Sequence, residues 1–187
     1  MRVAVFFGGR SEEHDVSCVS AVSTLTALAA KGHDTIAVGI DRAGIFHLAD
    51  QGLDPLVAEG PPVSIEIPGG RLLSAGDPVD IDVAFPVLHG PYGEDGTIQG
   101  LFEMAGLAYV GSSVLGSAIS MDKDVAKRLC RQAGIPVGNY FVLLADDFLV
   151  EPGAVATKVG DALDFPVFVK PANLGSSVGI SRAEDEE

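Results

Sequence analysis

The sequence predicts an α/β fold: a doubly wound, mostly parallel sheet, followed by the first part of an α+β domain. Three observations predict it. Short apolar runs alternate with helix-length periodic segments through the first 120 residues. The run at residues 82–88, Asp-Val-Ala-Phe-Pro-Val-Leu, is nearly all apolar, as strands covered on both faces are. Near Met121 the alternation stops and a basic helical segment follows, which predicts one domain over residues 1–120 and another over residues 121–187.

Residues 3–7 read as the first strand. Ser11 is expected to cap a helix that runs to Lys31 and stops at Gly32. On that helix Cys18, Val22, Leu25 and Ala29 recur on one face. Residues 35–40 form the next strand, and a turn at residues 41–44 leads into residues 45–48. Residues 51–78 are rich in Gly and Pro and weakly periodic, which predicts loop with short strands. The strand into His89 follows, then a helix over residues 97–105 stopped by Gly106, then an extended stretch at residues 108–110.

In the second domain an amphipathic helix is expected from about Asp122 to Ala133, with Ala126, Leu129, Cys130 and Ala133 facing inward. Gly134 and Pro136 end it. A strand at residues 139–144, a short helix around residues 154–159 and strands at residues 167–170 and 178–182 complete the pattern. A helix is expected to begin in the acidic run at residues 183–187, with acids suited to its N-terminus.

Twenty-six acids against twelve bases give a net charge of −14. That argues against nucleic acid or an anionic membrane as partner, while leaving room for a nucleotide in a local cationic pocket. No apolar run approaches the ~20 residues a membrane-spanning helix needs. Residues 1–7 run straight into a turn and read as a strand rather than a leader. Cys18 and Cys130 read as reduced core residues, which predicts a cytoplasmic protein.

Residues 89–100, His-Gly-Pro-Tyr-Gly-Glu-Asp-Gly-Thr-Ile-Gln-Gly, form the most informative stretch. A tight turn explains one or two of the glycines. It explains poorly why His89, Glu94, Asp95 and Gln99 stand at set places among them, so a binding loop at the carboxyl end of a strand is the stronger reading. As zinc ligands His89, Glu94 and Asp95 make a weak pattern, without cysteine and crowded around glycines. Gly8-Gly9 lacks the dinucleotide fingerprint, and Glu12, Glu13 and Asp15 crowd the helix start where a pyrophosphate would sit. Acids there either complement the helix dipole or favour a cationic group. His14 and His33 match no ligand pattern and His47 lies on a short strand; all three read as structural or solvated.

In residues 175–179, Gly-Ser-Ser-Val-Gly, hydroxyls and successive N–H groups could cradle phosphate oxygens, although Gly/Ser hairpin loops are common. Lys170 ends the preceding strand, close enough to reach the same pocket. Lys123, in the first turn of its helix, opposes the dipole at roughly 0.3–1 kcal/mol. It is either an ordinary surface lysine offset by Asp122 and Asp124, or a cation placed for an anion; Lys127 is read as solvated.

Residues 89–100 match H-G-x-x-G-E-D-G-x-x-Q-G in full and thereby resemble the D-alanine:D-alanine ligases. Residues 7–17 (Phe-Gly-Gly-Arg-Ser-Glu-Glu-His-Asp-Val-Ser) resemble that family's first strand-to-helix turn, and residues 168–181 its phosphate loop. Order and spacing agree, so the resemblance covers essentially the whole chain. It implies an N-terminal substrate-binding domain and the first part of an ATP-grasp domain, as the N-terminal half of a longer protein. The implied reaction joins two D-alanines with ATP, through an acyl phosphate, for peptidoglycan precursors. D-Ala:D-lactate and D-Ala:D-serine ligases share these motifs, and a non-catalytic binding module is the alternative of another class.

The resemblance sets Lys123 and Lys170 on the ATP phosphates, covered by Ser176, Ser177 and the Val178 N–H. It sets Glu13 on the ammonium of the first D-alanine, in a catalytic cluster with Ser176, and His89 near the same substrate. It further implies magnesium or manganese, held by ligands beyond residue 187, and a homodimer. Residues 1–187 alone are then expected to be inactive.

Overall fold

A computed structural model describes residues 1–185. The chain divides into two compact units, Met1–Met121 and Asp122–Glu187.

The first unit is built around β1 (Arg2–Gly8), whose residues Val3 to Phe7 are buried. Strand β1 pairs in parallel with β2 (Asp34–Ile40), from Arg2↔Asp34 to Gly8↔Ile40. On its other edge it pairs in parallel with β7 (Val83–Pro86), from Val3↔Val83 to Phe6↔Pro86. Side chains alternate along β1, as a pleated strand requires. Ala4 and Phe6 enter one core with Ile36, Val38, Ile98 and Phe102. Val3, Val5 and Phe7 enter the other with Cys18, Ala21 and Leu25. Helix α1 (His14–Ala30) therefore covers one face and α2 (Thr97–Ala105) the opposite face, the doubly wound arrangement. Phe6 and Phe102 are fully buried with ring centroids 5.0 Å apart, and burying each is worth about 1.5–3 kcal/mol.

Beyond β2 the sheet continues antiparallel through β3 (Phe46–Leu48), β4 (Pro62–Ile65), β5 (Leu72–Ser74) and β6 (Asp77–Val79). The order is β6-β5-β4-β3-β2-β1-β7, with a further parallel bridge from Ala84 to Tyr109. The weakly periodic residues 51–78 thus hold a meander. Helix α3 (Val114–Met121), which the sequence reading did not anticipate, closes the unit.

Two local expectations for α1 are corrected. Its N-cap is Glu13, with no side-chain cap; the Ser11 hydroxyl accepts instead from the Glu13 N–H at 3.2 Å, just before the helix. Ala29 is exposed; Ser17 and Ala21 are buried with Cys18 and Leu25 instead.

The second unit contains α4 (Lys123–Gln132), α5 (Ala145–Val150), α6 (Pro152–Ala162), β8 (Val167–Val169) and β9 (Ser181–Ala183). Asp122 caps α4 by accepting from the Asp124 N–H at 3.0 Å and the Val125 N–H at 2.9 Å. Strands β8 and β9 pair antiparallel, Val167↔Ala183 to Val169↔Ser181. No residue of α4 is buried: Leu129 is 47% exposed and Ala133 is exposed, so the expected inner face has no cover in this small unit. Cys130 is half-buried rather than core, while Cys18 is buried, and both are free. Residues 139–144 are apolar but form no strand, since among the described residues no ladder partner meets them. The helix expected at residues 183–187 is not seen where the structure is described: Ala183 ends β9 and Glu184 pairs with Arg182 at 3.1 Å. Glu186 and Glu187 lie outside the described residues. Among the described residues no helix is long and apolar enough to cross a membrane.

Candidate functional site

The chain leaves β1 toward α1 on one face and leaves β7 toward α2 on the other. The carboxyl ends of these neighbouring strands therefore flank a topological switch point, where open α/β sheets bind ligands.

Three hydroxyls tie the two turns at this crevice together. Ser17, fully buried, accepts from the Gly8 N–H at 2.8 Å and donates to the Val87 carbonyl at 2.6 Å. Ser11 donates to the His89 carbonyl at 2.7 Å and accepts from the Glu13 N–H at 3.2 Å. Ser20 lies 3.2 Å from His89 Nε2. Glu13 is buried, and a Cβ placed on Gly90 would lie 2.5 Å from its Oε2. Gly90 also has φ +71°, a left-handed conformation that favours glycine, and a side chain there would displace the Glu13 carboxylate. The structure thereby brings Glu13 and His89 to one crevice.

The other polar residues of residues 89–100 shape the turn itself. Glu94 Oε2 accepts from the Gly90 N–H at 2.7 Å, and Gln99 Nε2 donates to the Gly93 carbonyl at 2.9 Å. Asp95 accepts from the Tyr92 and Thr97 N–H groups, each at 2.9 Å. Burial opposes the ionised form of Asp95, but these bonds outweigh it and hold its carboxyl below the usual value. Beside the turn lies an open cavity of about 570 Å³, lined in part by His89, Glu94, Gln99, Ser112 and Ser117. Among the described residues no group of three or more His, Cys, Asp or Glu side chains is placed to hold a metal ion.

In the second unit Lys123 and Lys170 line one cavity of about 280 Å³, with Tyr140 and Phe168. The Lys123 ammonium donates to the carbonyls of Leu174 and Ala172, the latter at 3.3 Å, and its backbone N–H also reaches Ala172 at 3.0 Å. Lys170 Nζ sits 5.9 Å from the centroid of Phe168. Lys127, read as solvated, stacks its ammonium 4.5 Å over the Tyr140 ring. Ser176 and Ser177 hold left-handed φ values of 46° and 62°, unusual for residues other than glycine. In this turn the Val178 N–H donates to the Gly175 carbonyl at 2.9 Å, so the group expected to meet a phosphate is engaged within the loop.

Sequence reasoning quoted Ser11 and Ser17 without giving either a role at the site, and passed over Ser20. The available signal was the series of serines from Ser11 through the first two turns of α1, after Gly8-Gly9.

The family profile described as D-ala D-ala ligase N-terminus matches residues 2–112, and that described as D-ala D-ala ligase C-terminus matches residues 129–187. A D-alanine–D-alanine ligase of Mycobacterium tuberculosis strain H37Rv is 47% identical, over 97% of this chain and 52% of the relative. D-alanine–D-alanine ligase A of Bradyrhizobium diazoefficiens is 45% identical, over 100% of this chain and 54% of the relative. Among solved structures, the D-alanine-D-alanine ligase of Coxiella burnetii superposes with a TM-score of 0.86 at 32% identity, covering 100% of this chain and 57% of that one. The VanG D-Ala:D-Ser ligase of Enterococcus faecalis superposes with a TM-score of 0.80 at 33% identity, covering 98% and 55%. The chain thus spans about half the length of the relatives it matches. On the two profile matches and this likeness, the chain belongs to the D-alanine–D-alanine ligase family.

Proposed function

We propose that this chain supplies the D-alanine subsite and part of the ATP site of a ligase that joins two D-alanines. The observation that carries the reading is the buried Glu13 carboxylate against Gly90 at the switch-point crevice, in a chain whose curated relatives bear that name. Glu13 abuts Gly90, next to the cavity-lining His89; a buried carboxylate there suits an ammonium ion, and an amino acid brings one. Lys123 and Lys170 on one cavity suit the phosphates of ATP.

In the proposed reaction a carboxylate oxygen of the first D-alanine attacks the γ-phosphorus, and ADP leaves. The amine of the second D-alanine then attacks the acyl carbon; phosphate departs and the nitrogen loses a proton. The residues' tasks follow from charge. Glu13 holds the first ammonium and so orients its carboxylate, and His89 borders that substrate. Lys170 and Lys123 stabilise charge on the phosphates. An ammonium has three donors, and Lys123 uses two on Ala172 and Leu174, which leaves one for a phosphate oxygen. Ser176 and Ser177 cover the phosphates, and Val178 joins them once its N–H leaves Gly175. By family resemblance Ser176 also serves the substrate cluster with Glu13. The family chemistry uses magnesium or manganese beside ATP; no three-ligand cluster for either is formed among the described residues. Peptidoglycan precursor synthesis in the cytoplasm by a homodimer is part of the same proposal. D-Alanine is the acceptor favoured by the 45–47% identical relatives, over the D-serine in the name of the VanG enzyme.

The test joins this chain to the remaining C-terminal part of the Mycobacterium tuberculosis relative. In that fused enzyme Glu13→Ala should raise the D-alanine KM by roughly tenfold or more and leave the ATP KM within about twofold. Lys170→Ala should weaken ATP binding without unfolding the protein. The opposite ranking would remove both assignments.

A further inference from the structure

On the α2 side of the sheet, separate from the larger cavity, lies a small one of about 150 Å³. Ile40, Phe46, Leu88, Ile98 and Leu101 give it apolar walls, and Arg10 and Tyr92 also line it. A cavity of about 150 Å³ walled by such side chains accepts a benzene-sized guest. No Asp or Glu is among its lining residues, so no carboxylate there offsets the charge of an amino acid's ammonium.

Arg10 is held in a specific way. Its guanidinium lies 4.9 Å from the centroid of Tyr92, and its stem crosses Gly44, where a Cβ would come within 3.0 Å of Arg10 Cδ. Tyr92 has φ 68°, and its N–H is held by Asp95 at 2.9 Å. Arg2, Arg42, Arg71, Arg128 and Arg182 each hold a carboxylate. Among the described residues Arg10 forms no ion pair, in a chain with 26 acids and 12 bases. Stacking occupies the face of a guanidinium and leaves the N–H donors at its edge open, in the fork that matches a carboxylate.

We propose that this cavity binds a small monocarboxylate with an uncharged apolar body, its carboxylate on Arg10. The guest differs from the proposed substrate in lacking an ammonium, and the inference does not depend on ligase activity. Leu88, His89 and Gly93 line both cavities, so a bound guest bears on the turn that carries His89.

The test uses the 187-residue chain with labelled Ile and Leu methyl groups, titrated with benzoate and, separately, with benzyl alcohol as its neutral counterpart. Benzoate should shift the methyls of Ile40, Leu88, Ile98 and Leu101 saturably. Arg10→Gln should weaken benzoate by about tenfold, a loss of about 1.4 kcal/mol, and leave benzyl alcohol unchanged. Arg10 is exposed, and the methyl spectrum of the variant verifies its fold. Absence of saturable shifts, equal affinity for benzoate in Arg10→Gln, or equal binding of both probes by the unaltered chain would overturn the proposal.

Discussion

Replacing Ser17 by alanine removes the bond that accepts the Gly8 N–H and the bond that donates to the Val87 carbonyl, at 2.8 and 2.6 Å. Ser17 is fully buried, so water cannot replace the lost hydroxyl. One orphaned donor and one orphaned acceptor at about 1–3 kcal/mol each give a loss of roughly 2–6 kcal/mol. That is a large fraction of the roughly 5–15 kcal/mol that holds a domain together. Amide hydrogen exchange at Val5 and Val38, on the two central strands, reports the opening free energy of this unit. It should fall by that amount, and the Gly8 amide should lose further protection. A change below about 0.5 kcal/mol, typical of an uninvolved surface site, would refute the claim that Ser17 joins the ends of β1 and β7.

His47 lies between two acceptors, the Gly60 carbonyl 3.0 Å from Nδ1 and Asp41 Oδ2 3.2 Å from Nε2. The Gly60 bond, then Asp41, raise its pKa above 6.5 against the effect of burial, while the Ile45 N–H is the largest influence lowering Asp41 from 3.8. His47's contribution is complete below pH 6.5 and lost as pH rises through its higher folded value; Asp41's is complete above 3.8 and lost as pH falls through its lower folded value. An NMR titration placing His47 at or below 6.5 would contradict this reading. Gly90→Ala should lower stability by about 1–2 kcal/mol from its left-handed backbone alone, before the displacement of Glu13. An unchanged thermal midpoint would contradict the left-handed backbone at Gly90.

Local signals carried much of this fold. The apolar run of β1 and the Gly106 stop of α2 were legible because each depends on residues within a few positions. The short strands β3 to β6 are specified by their pairing rather than by periodicity, so residues 51–78 read mainly as loop. Residues 139–144 show the converse, a strand-like composition without a partner among the described residues. At the site, the resemblance pointed to Glu13, His89, Lys123, Lys170 and residues 176–178. It could not show Ser11, Ser17 and Ser20 tying the two turns, since their partners lie 78, 70 and 69 positions away. Nor could it show that Glu94 and Asp95 hold the turn's own N–H groups.

The central claim is tested most directly by phosphate release from ATP and magnesium in the fused enzyme, measured with and without D-alanine. The account predicts release that depends on D-alanine, with D-alanyl-D-alanine as product and D-serine and D-lactate as poorer second substrates. A fused enzyme that binds ATP yet releases no phosphate with D-alanine, or releases it equally without D-alanine, would contradict it.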